Sequence, residues 1–188
     1  MRALDLFAGA GGWTEGATQA GASVVWAADH WPAAVEIHAE NHPDATHVCQ
    51  DLRQADWTQA PAHDVLIASP SCVGHTRARG KDRPGHDAER ATAWAVVDAA
   101  ECHRPPFLLV ENVVEFSRWI LYPAWTAAIN ALGYALRPHI VDSADHGVPQ
   151  NRVRLIIVGS RSRHPLELQL PKRQHIGAGS FLDFGAGQ

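Results

Sequence analysis

Short apolar runs alternate with amphipathic stretches along almost the whole chain, and that alternation predicts its elements. Ala3–Phe7 is apolar around a single acid and reads as a strand, ending in the glycine-rich turn Ala8–Gly12. Trp13–Ala20 reads as a helix closed by Gly21, and Ser23–Ala28 as a β-rich run followed by Asp29, His30 and Trp31. Pro32 suits a helix start, and that helix runs to about Asn41, before Pro43. A weak strand is expected at His47–Cys49. Asp64–Ser69 is a continuous apolar strand of the kind buried on both faces of a parallel sheet. The polar loop Pro70–Gly85 follows, then a helix from about Asp87 to Cys102. Phe107–Glu111 is another buried strand, and Pro123–Leu132 a helix closed by Gly133. Ala135–Val141 and Arg154–Gly159 complete the pattern as strands.

Strands alternating with helices at this spacing imply an α/β fold, a mostly parallel sheet with helices on both faces. Ligands of such sheets sit beyond the carboxyl ends of the strands. The polar residues of interest follow strands: the Phe7–Gly12 turn, Asp29, Asp51, Cys72 and Glu111. From about Ser162 the chain is rich in Pro, Gly, His and Arg. The expected division is therefore a catalytic and cofactor-binding domain over 1–160, and a linker or the start of another unit over 161–188.

Composition narrows the class. The chain has 188 residues, 46% hydrophobic and 19% charged, as in an ordinary globular domain. No apolar run approaches the ~18 residues of a membrane span. The opening MRALDLF lacks the regions of a signal peptide, so a cytoplasmic protein with free thiols is expected. The three cysteines form no CxxC pair and the twelve histidines no HExxH, so no metal site is expected. The net charge of −4 hides an uneven distribution. Arg2 and Arg53 are the only cations among residues 1–70. Arg77, Arg79, Lys81, Arg83 and Arg90 then cluster, as do Arg152, Arg154, Arg161, Arg163, Lys172 and Arg173. A polyanion would meet two local basic segments; two solvated surface stretches are the alternative.

Four motifs carry candidate chemistry. In Asp5-Leu6-Phe7-Ala8-Gly9-Ala10-Gly11-Gly12, glycines let the backbone turn sharply and approach a ligand. The dinucleotide fingerprint fails at its sixth position, which is Thr14, and this argues against a nicotinamide-dependent oxidoreductase. Asp29, at the end of the second strand, can hold ribose hydroxyls or cap the helix at Pro32. In Ser69-Pro70-Ser71-Cys72, a cysteine after a buried strand opens a basic loop, a setting that favours thiolate, whereas Cys49 and Cys102 read as structural. Glu111-Asn112-Val113 places a carboxylate at a strand end, as acid, base or hydrogen-bond partner. Gln150-Asn151-Arg152-Val153-Arg154 places two arginines on one side of a strand, suited to phosphate or carboxylate.

In this order and spacing, the four motifs resemble those of the cytosine-C5 DNA methyltransferase family, from Ala3 to about Ser160. The resemblance implies a Rossmann-like S-adenosylmethionine-dependent methyltransferase fold. It implies double-stranded DNA as partner, S-adenosyl-L-methionine as cofactor and base flipping. Cys72 would be the nucleophile that adds to C6 of cytosine, and Glu111 the partner of N3. Arg154 would bind the flipped base and Arg152 a phosphate or the catalytic loop. Phe7, Ala8, Gly9, Gly11 and Gly12 would line the cofactor, with Asp29 on its ribose and His30 against its adenine. Asp51 would accept from the adenine amino group, with Leu52 beside it lining the cofactor. Thr76, Arg77, Arg79 and Arg90 would meet DNA.

The chain departs from that family in three places. Ser71 stands where proline usually precedes the cysteine, and Val73 where glutamine follows it. The family's target-recognition domain and final Gly-Asn motif are not found. One expectation is therefore a split or truncated enzyme, with a second polypeptide supplying recognition. The same chemistry on RNA, as in the tRNA-methylating branch, and a non-catalytic binding scaffold are the competing readings.

Overall fold

The computed structural model describes residues 1–71 and 92–182. Seven strands form one sheet: β1 (Arg2–Leu6), β2 (Ser23–Asp29), β3 (Thr46–Cys49), β4 (Val65–Ala68), β5 (Phe107–Asn112), β6 (Ala135–Asp142) and β7 (Val153–Ser160). Four helices accompany them: α1 (Gly12–Gln19), α2 (Pro32–Asn41), α3 (Thr92–His103) and α4 (Tyr122–Ala131). The strand order is β3-β2-β1-β4-β5-β7-β6. Every expected strand and helix is present, with ends within a residue or two. The expected start of α3 near Asp87 lies outside the described residues.

The chain winds outward from β1 to β3, then returns to β4 on the other side of β1. The parallel pairs β1–β2, β1–β4, β2–β3 and β4–β5 put their carboxyl ends along one edge. The point where winding reverses, between β1 and β4, is where a ligand crevice opens in such sheets. β7 is the exception, antiparallel to both β5 and β6. Its approach explains the difference: no helix separates β6 from β7, only the short turn Ser143–His146 and a loop. A crossover to a parallel strand needs a dozen or more residues and usually a helix.

The main core lies on one face. Leu4, Leu6, Leu66, Leu108, Val110 and Ile157 meet the alanine-rich face of α3 and the aromatic cluster Phe116, Trp125 and Tyr134. Trp125 is fully buried, and its indole N–H donates to the Ala93 carbonyl at 2.9 Å. On the other face, Ala3, Val24, Val65 and Ile67 pack under Trp13 and Ala17 of α1. Among the described residues no helix is long and apolar enough to cross a membrane.

Beyond β7 the chain runs along the rim of the sheet without regular strands. Glu167 pairs with Arg137 of β6. Asp145 accepts from Lys172 Nζ at 2.6 Å and from His175 Nε2 at 2.8 Å, and its carbonyl takes the Arg173 amide at 2.7 Å. The Lys172 ammonium and His175 hold the Asp145 carboxyl down to about 2.

Trp125→Ala should lower unfolding free energy by ~3–5 kcal/mol, because it removes a fully buried aromatic and leaves a cavity beside Phe116. Urea unfolding followed by circular dichroism checks this; a loss below 1 kcal/mol would remove Trp125 from the centre of the core.

Candidate active site

The site is built on the common edge of β1, β2, β4 and β5, and completed by the beginning of β7. Glu111 of β5 lies opposite Ile156 of β7, so their side chains share a face. Two residues earlier on β7, Arg154 falls on that same face, as does Arg152 just before the strand begins. Arg154 Nε lies 2.8 Å from Glu111 Oε1, and an Arg152 terminal nitrogen 3.4 Å from it. Glu111 keeps 15% of its side-chain surface, Arg154 26% and Arg152 46%. The carboxylate is thus held by two cations at the wall of a cleft, with its own edge still reachable.

Several bonds fix that arrangement. Asp142 Oδ1 accepts from the Arg152 amide at 3.0 Å and the Ala144 amide at 3.1 Å. The Ser143 amide donates to the Arg152 carbonyl at 3.1 Å. Buried Asn112 reaches from β5 to the loop after β4, its amide donating to the Pro70 carbonyl at 3.1 Å. The Ser71 amide donates to Thr92 Oγ1 at the start of α3, 3.1 Å away. A proline at that position could not make this bond. Ser71 thus replaces the covalent restriction of a ring by a hydrogen bond to α3. Cys72, Thr76, Arg77, Arg79 and Arg90 lie outside the described residues.

Two adjoining cavities share Phe7, Ser69, Glu111, Arg152 and Arg154. The larger, about 590 Å³, extends over Ala8, Gly12, Trp13, Val141, Ser143 and Gln150. The smaller, about 250 Å³, extends over Asp29, His30, Pro70, Ser71, Asn112 and Val113. Ser69 Oγ is buried between them, without a hydrogen-bond partner among the described residues. A buried hydroxyl with no partner costs free energy unless a ligand or water meets it.

The turn after β1 carries the strain expected of a ligand loop. Phe7 has φ 57°, Gly9 54° and Gly11 97°. For phenylalanine that region is unfavourable, and its ring lines both cavities. Added Cβ atoms at Gly9 and Gly12 would meet nothing within 4 Å, so both have open space before them. Gly11 differs from its expected role. A Cβ there would fall 2.5 Å from the His42 ring, so Gly11 is glycine to admit histidine packing. Asp29 Oδ2 accepts from the Gly9 amide at 3.0 Å and Oδ1 from the Trp31 amide at 2.9 Å. It does not cap α2, whose N-cap is Trp31. His30 Nδ1 lies 3.2 Å from Asp29 Oδ1 with most of its ring exposed.

Two expected residues stand apart from the cavities. Asp51 is engaged by the Arg53 amide at 3.0 Å and by its guanidinium at 2.9 and 2.5 Å, which holds the carboxyl down to about 2. The Leu52 side chain is 1% exposed and belongs to the main core. It is therefore corrected from cofactor wall to core.

Reasoning from sequence missed a polar network behind the glycine turn. Asp5 is fully buried, and Thr14 Oγ1 donates to its Oδ2 at 2.7 Å. His38 Nε2 lies 3.0 Å from the same hydroxyl, and His38 Nδ1 lies 2.8 Å from His47 Nε2. His38 and His42, at i and i+4 across the end of α2, were a legible signal of it. Among the described residues no group of three or more His, Cys, Asp or Glu is set to hold a metal.

The strand order with antiparallel β7, the strained glycine turn after β1 and the cleft at the winding reversal define a Rossmann-like methyltransferase fold. Solved structures agree: the Entamoeba histolytica methyltransferase EhMeth superposes with a TM-score of 0.79 at 18% identity, over 100% of this chain and 61% of its own. Residues 1–179 match the C-5 cytosine-specific DNA methylase family, and the chain belongs to that family. Among curated relatives, the type II methyltransferase M.AgeI of Thalassovita gelatinovora is 34% identical over 85% of this chain and 39% of its own length. M.MthTI of Methanothermobacter thermautotrophicus is 29% identical over 92% of this chain and 52% of its own. The chain thus spans two-fifths to half the length of these relatives.

Two buried groups of the network pull stability in opposite directions with pH. Burial raises the Asp5 carboxyl from 3.8 to about 7, against its bond to Thr14, so stability falls as pH rises between those values. Burial, then His47 and His42, lower His38 from 6.5 to about 4, so stability rises with pH across that window. The two slopes oppose where they overlap. Asp5→Asn should leave the histidine slope alone, with unfolding free energy rising by up to ~1.4 kcal/mol per pH unit between about 4 and 6.5. Urea unfolding across that range checks it, and a falling profile would contradict the assignment.

Proposed function

We propose that this chain carries the catalytic unit of a DNA (cytosine-5-)-methyltransferase. It would use S-adenosyl-L-methionine to methylate C5 of a cytosine flipped out of double-stranded DNA. The observation that carries the reading is the Glu111–Arg154–Arg152 cluster, which shares one cleft wall with the glycine turn and with Ser69 and Ser71. We take residues 1–160 as the catalytic unit and 161–188 as the connection onward. The span relative to the curated relatives leaves room for target recognition by further sequence or a second polypeptide.

The residues fit the cofactor. Gly9 and Gly12 leave open space, Ser69 Oγ offers a hydrogen-bonding group without a partner among the described residues, and Asp29 is fixed by two amides at the rim. Asp29 would take ribose hydroxyls, the Phe7 ring would lie against the adenine with His30, and the turn would admit the amino-acid end. The bound sulfonium supplies the electrophilic methyl group.

Cytosine C5 is a poor nucleophile until C6 is attacked. In this reading Cys72 adds as thiolate to C6, and negative charge develops toward N3 and the exocyclic side of the ring. Glu111, as the carboxylic acid when the base is bound, donates its proton to N3 and so stabilises that charge. Arg154 keeps Glu111 in position and faces the base, while Arg152, more exposed, is placed for a phosphate. C5 takes the methyl group, a base removes the C5 proton, and the bond to Cys72 breaks. Thr76, Arg77, Arg79 and Arg90 would hold the target strand.

The test uses the chain with any sequence or partner it requires. DNA containing 5-fluorocytosine, which has no C5 proton to lose, should become covalently attached at Cys72 when cofactor is present. Cys72→Ser should abolish the adduct, and Glu111→Gln should slow it by about 10²-fold or more. An adduct that persists in Cys72→Ser would overturn the reading. Matched tRNA, run in parallel, separates the two nucleic acids.

A further inference from the structure

The buried network behind the glycine turn has a geometry that none of the motifs assigns. Asp5 precedes the turn on β1, and Thr14 follows it in the first full turn of α1. Their 2.7 Å hydrogen bond therefore ties the two ends of the 6–13 segment together. His38 is 1% exposed and uses both ring nitrogens: Nε2 on Thr14 Oγ1 at 3.0 Å and Nδ1 on His47 Nε2 at 2.8 Å. The ring edges of His42 and His38 also press against Gly11, where no side chain would fit. The His42 and His47 rings each stand 4.9 Å from the ring of His38. The turn is thus gripped at its ends by a bond and at Gly11 by imidazoles.

We propose that His38 is a positioning residue for the Phe7–Gly12 turn, holding it in its ligand-accepting shape through Thr14, Asp5 and Gly11. This rests on the proposed cofactor reading for the nature of the ligand, an S-adenosyl compound, but not for the positioning itself.

Proton counting shows why a histidine serves here. Thr14 Oγ1 has one hydrogen and faces two partners. With Asp5 ionised, Thr14 donates to Asp5, His38 Nε2–H donates to Thr14, and His38 Nδ1 accepts from His47 Nε2–H. With Asp5 protonated, every bond reverses: Asp5 donates to Thr14, Thr14 to His38 Nε2, and His38 Nδ1–H to His47. One added proton is accommodated by a tautomer change of both rings, and no bond is lost. Burial raises the Asp5 carboxyl to about 7, with Asp29 contributing in the same direction, so both arrangements are within reach near neutrality. A side chain with a donor and an exchangeable acceptor at opposite corners of a ring meets this demand, and imidazole is one. The charged or titratable groups facing His38 are Asp5 on β1, Asp29 on β2, His42 on α2 and His47 on β3.

Three variants test the positioning. His38→Leu removes both bonds, His38→Gln keeps an amide N–H at the Nε2 position, and Thr14→Val removes the hydroxyl alone. The first readout is hydrogen exchange by NMR of the Gly9 and Gly11 amides in the chain without ligand. These amides are bonded to Asp29 Oδ2 and the Ala8 carbonyl. The second is S-adenosylhomocysteine affinity by calorimetry. His38→Leu should lower protection of Gly9 and Gly11 by roughly tenfold relative to amides of β4, with a matching loss of affinity. His38→Gln should recover most of both, and adding Thr14→Val to His38→Leu should lower protection further, because it also removes the Asp5 bond. In wild type, the 15N shifts of the His38 ring should exchange which nitrogen is protonated as Asp5 titrates. Unchanged protection at Gly9 and Gly11 in a folded His38→Leu overturns the proposal, as does a His38→Gln as impaired as His38→Leu. If His38→Leu does not fold, Thr14→Val and His38→Gln decide by the same readouts. Failure of wild type to bind S-adenosylhomocysteine, with the protection pattern as expected, defeats the cofactor reading and supports the positioning.

Discussion

The antiparallel pairing of β7 with β5 is the constraint on which the site depends. The carboxyl ends of parallel strands supply Phe7, Asp29, Ser69 and Glu111 to one edge of the sheet. A further parallel strand would bring its far end to that edge, and with it Gly159 and Ser160. Reversed, β7 brings its start there, with Arg152 and Arg154 opposite the end of β5. The pairing register, Glu111 with Ile156, then sets the 2.8 Å contact of Arg154 with the carboxylate. A slip of one residue would turn both arginines to the other face.

Four carboxylates near the edge show how environment separates their uses. Asp5 is sealed in, and burial outweighs its bonds to the Thr14 hydroxyl and backbone, so it is pushed toward neutrality. Asp29 is nearly buried but is held by two amides and lies at a cavity wall. Glu111 is part-buried and flanked by two guanidinium groups. Asp51 is exposed and already engaged by Arg53. Only Asp29 and Glu111 combine a fixed position with an open side, which is what holding or acting on a ligand requires. A reading based on residue type and spacing ranks Asp29, Asp51 and Glu111 alike and passes over Asp5.

Much of this was legible in the sequence. The apolar runs VLIA and FLLVE could only be buried strands, and the turns after them could only lie at one edge. Strand periodicity put Arg152 and Arg154 on one face before any geometry was known, and the family resemblance brought Glu111 to the same site. What escaped were features without a local signature. The reversal of β7 was implied by the missing helix after Val141, but the strand reads alike in either direction. Gly11 was taken for a ligand contact because a glycine cannot announce whether a cofactor or a histidine fills its missing side chain. Leu52 was placed beside Asp51 by proximity in sequence, yet in a short turn adjacent side chains point apart, one to solvent and one to the core.

The two faces of the sheet support the site by different means. Beneath β4 and β5 the main core is apolar, with Leu66, Leu108, Val110 and Phe116 packed without polar atoms among them. Such packing fixes strand positions but is indifferent to small changes in electrostatics. Behind β1 the support of the glycine turn is polar, a chain of hydrogen bonds from His47 to Asp5. A turn with Phe7 and two glycines at positive φ has little side-chain packing of its own beyond the Phe7 ring, which leans on the main core. Directional bonds to its ends and a ring against Gly11 can hold such a turn, because they constrain angle as well as distance. The division follows from what each part must do: the strand carrying Glu111 has only to stay in place, whereas the turn must keep a strained shape open for a ligand.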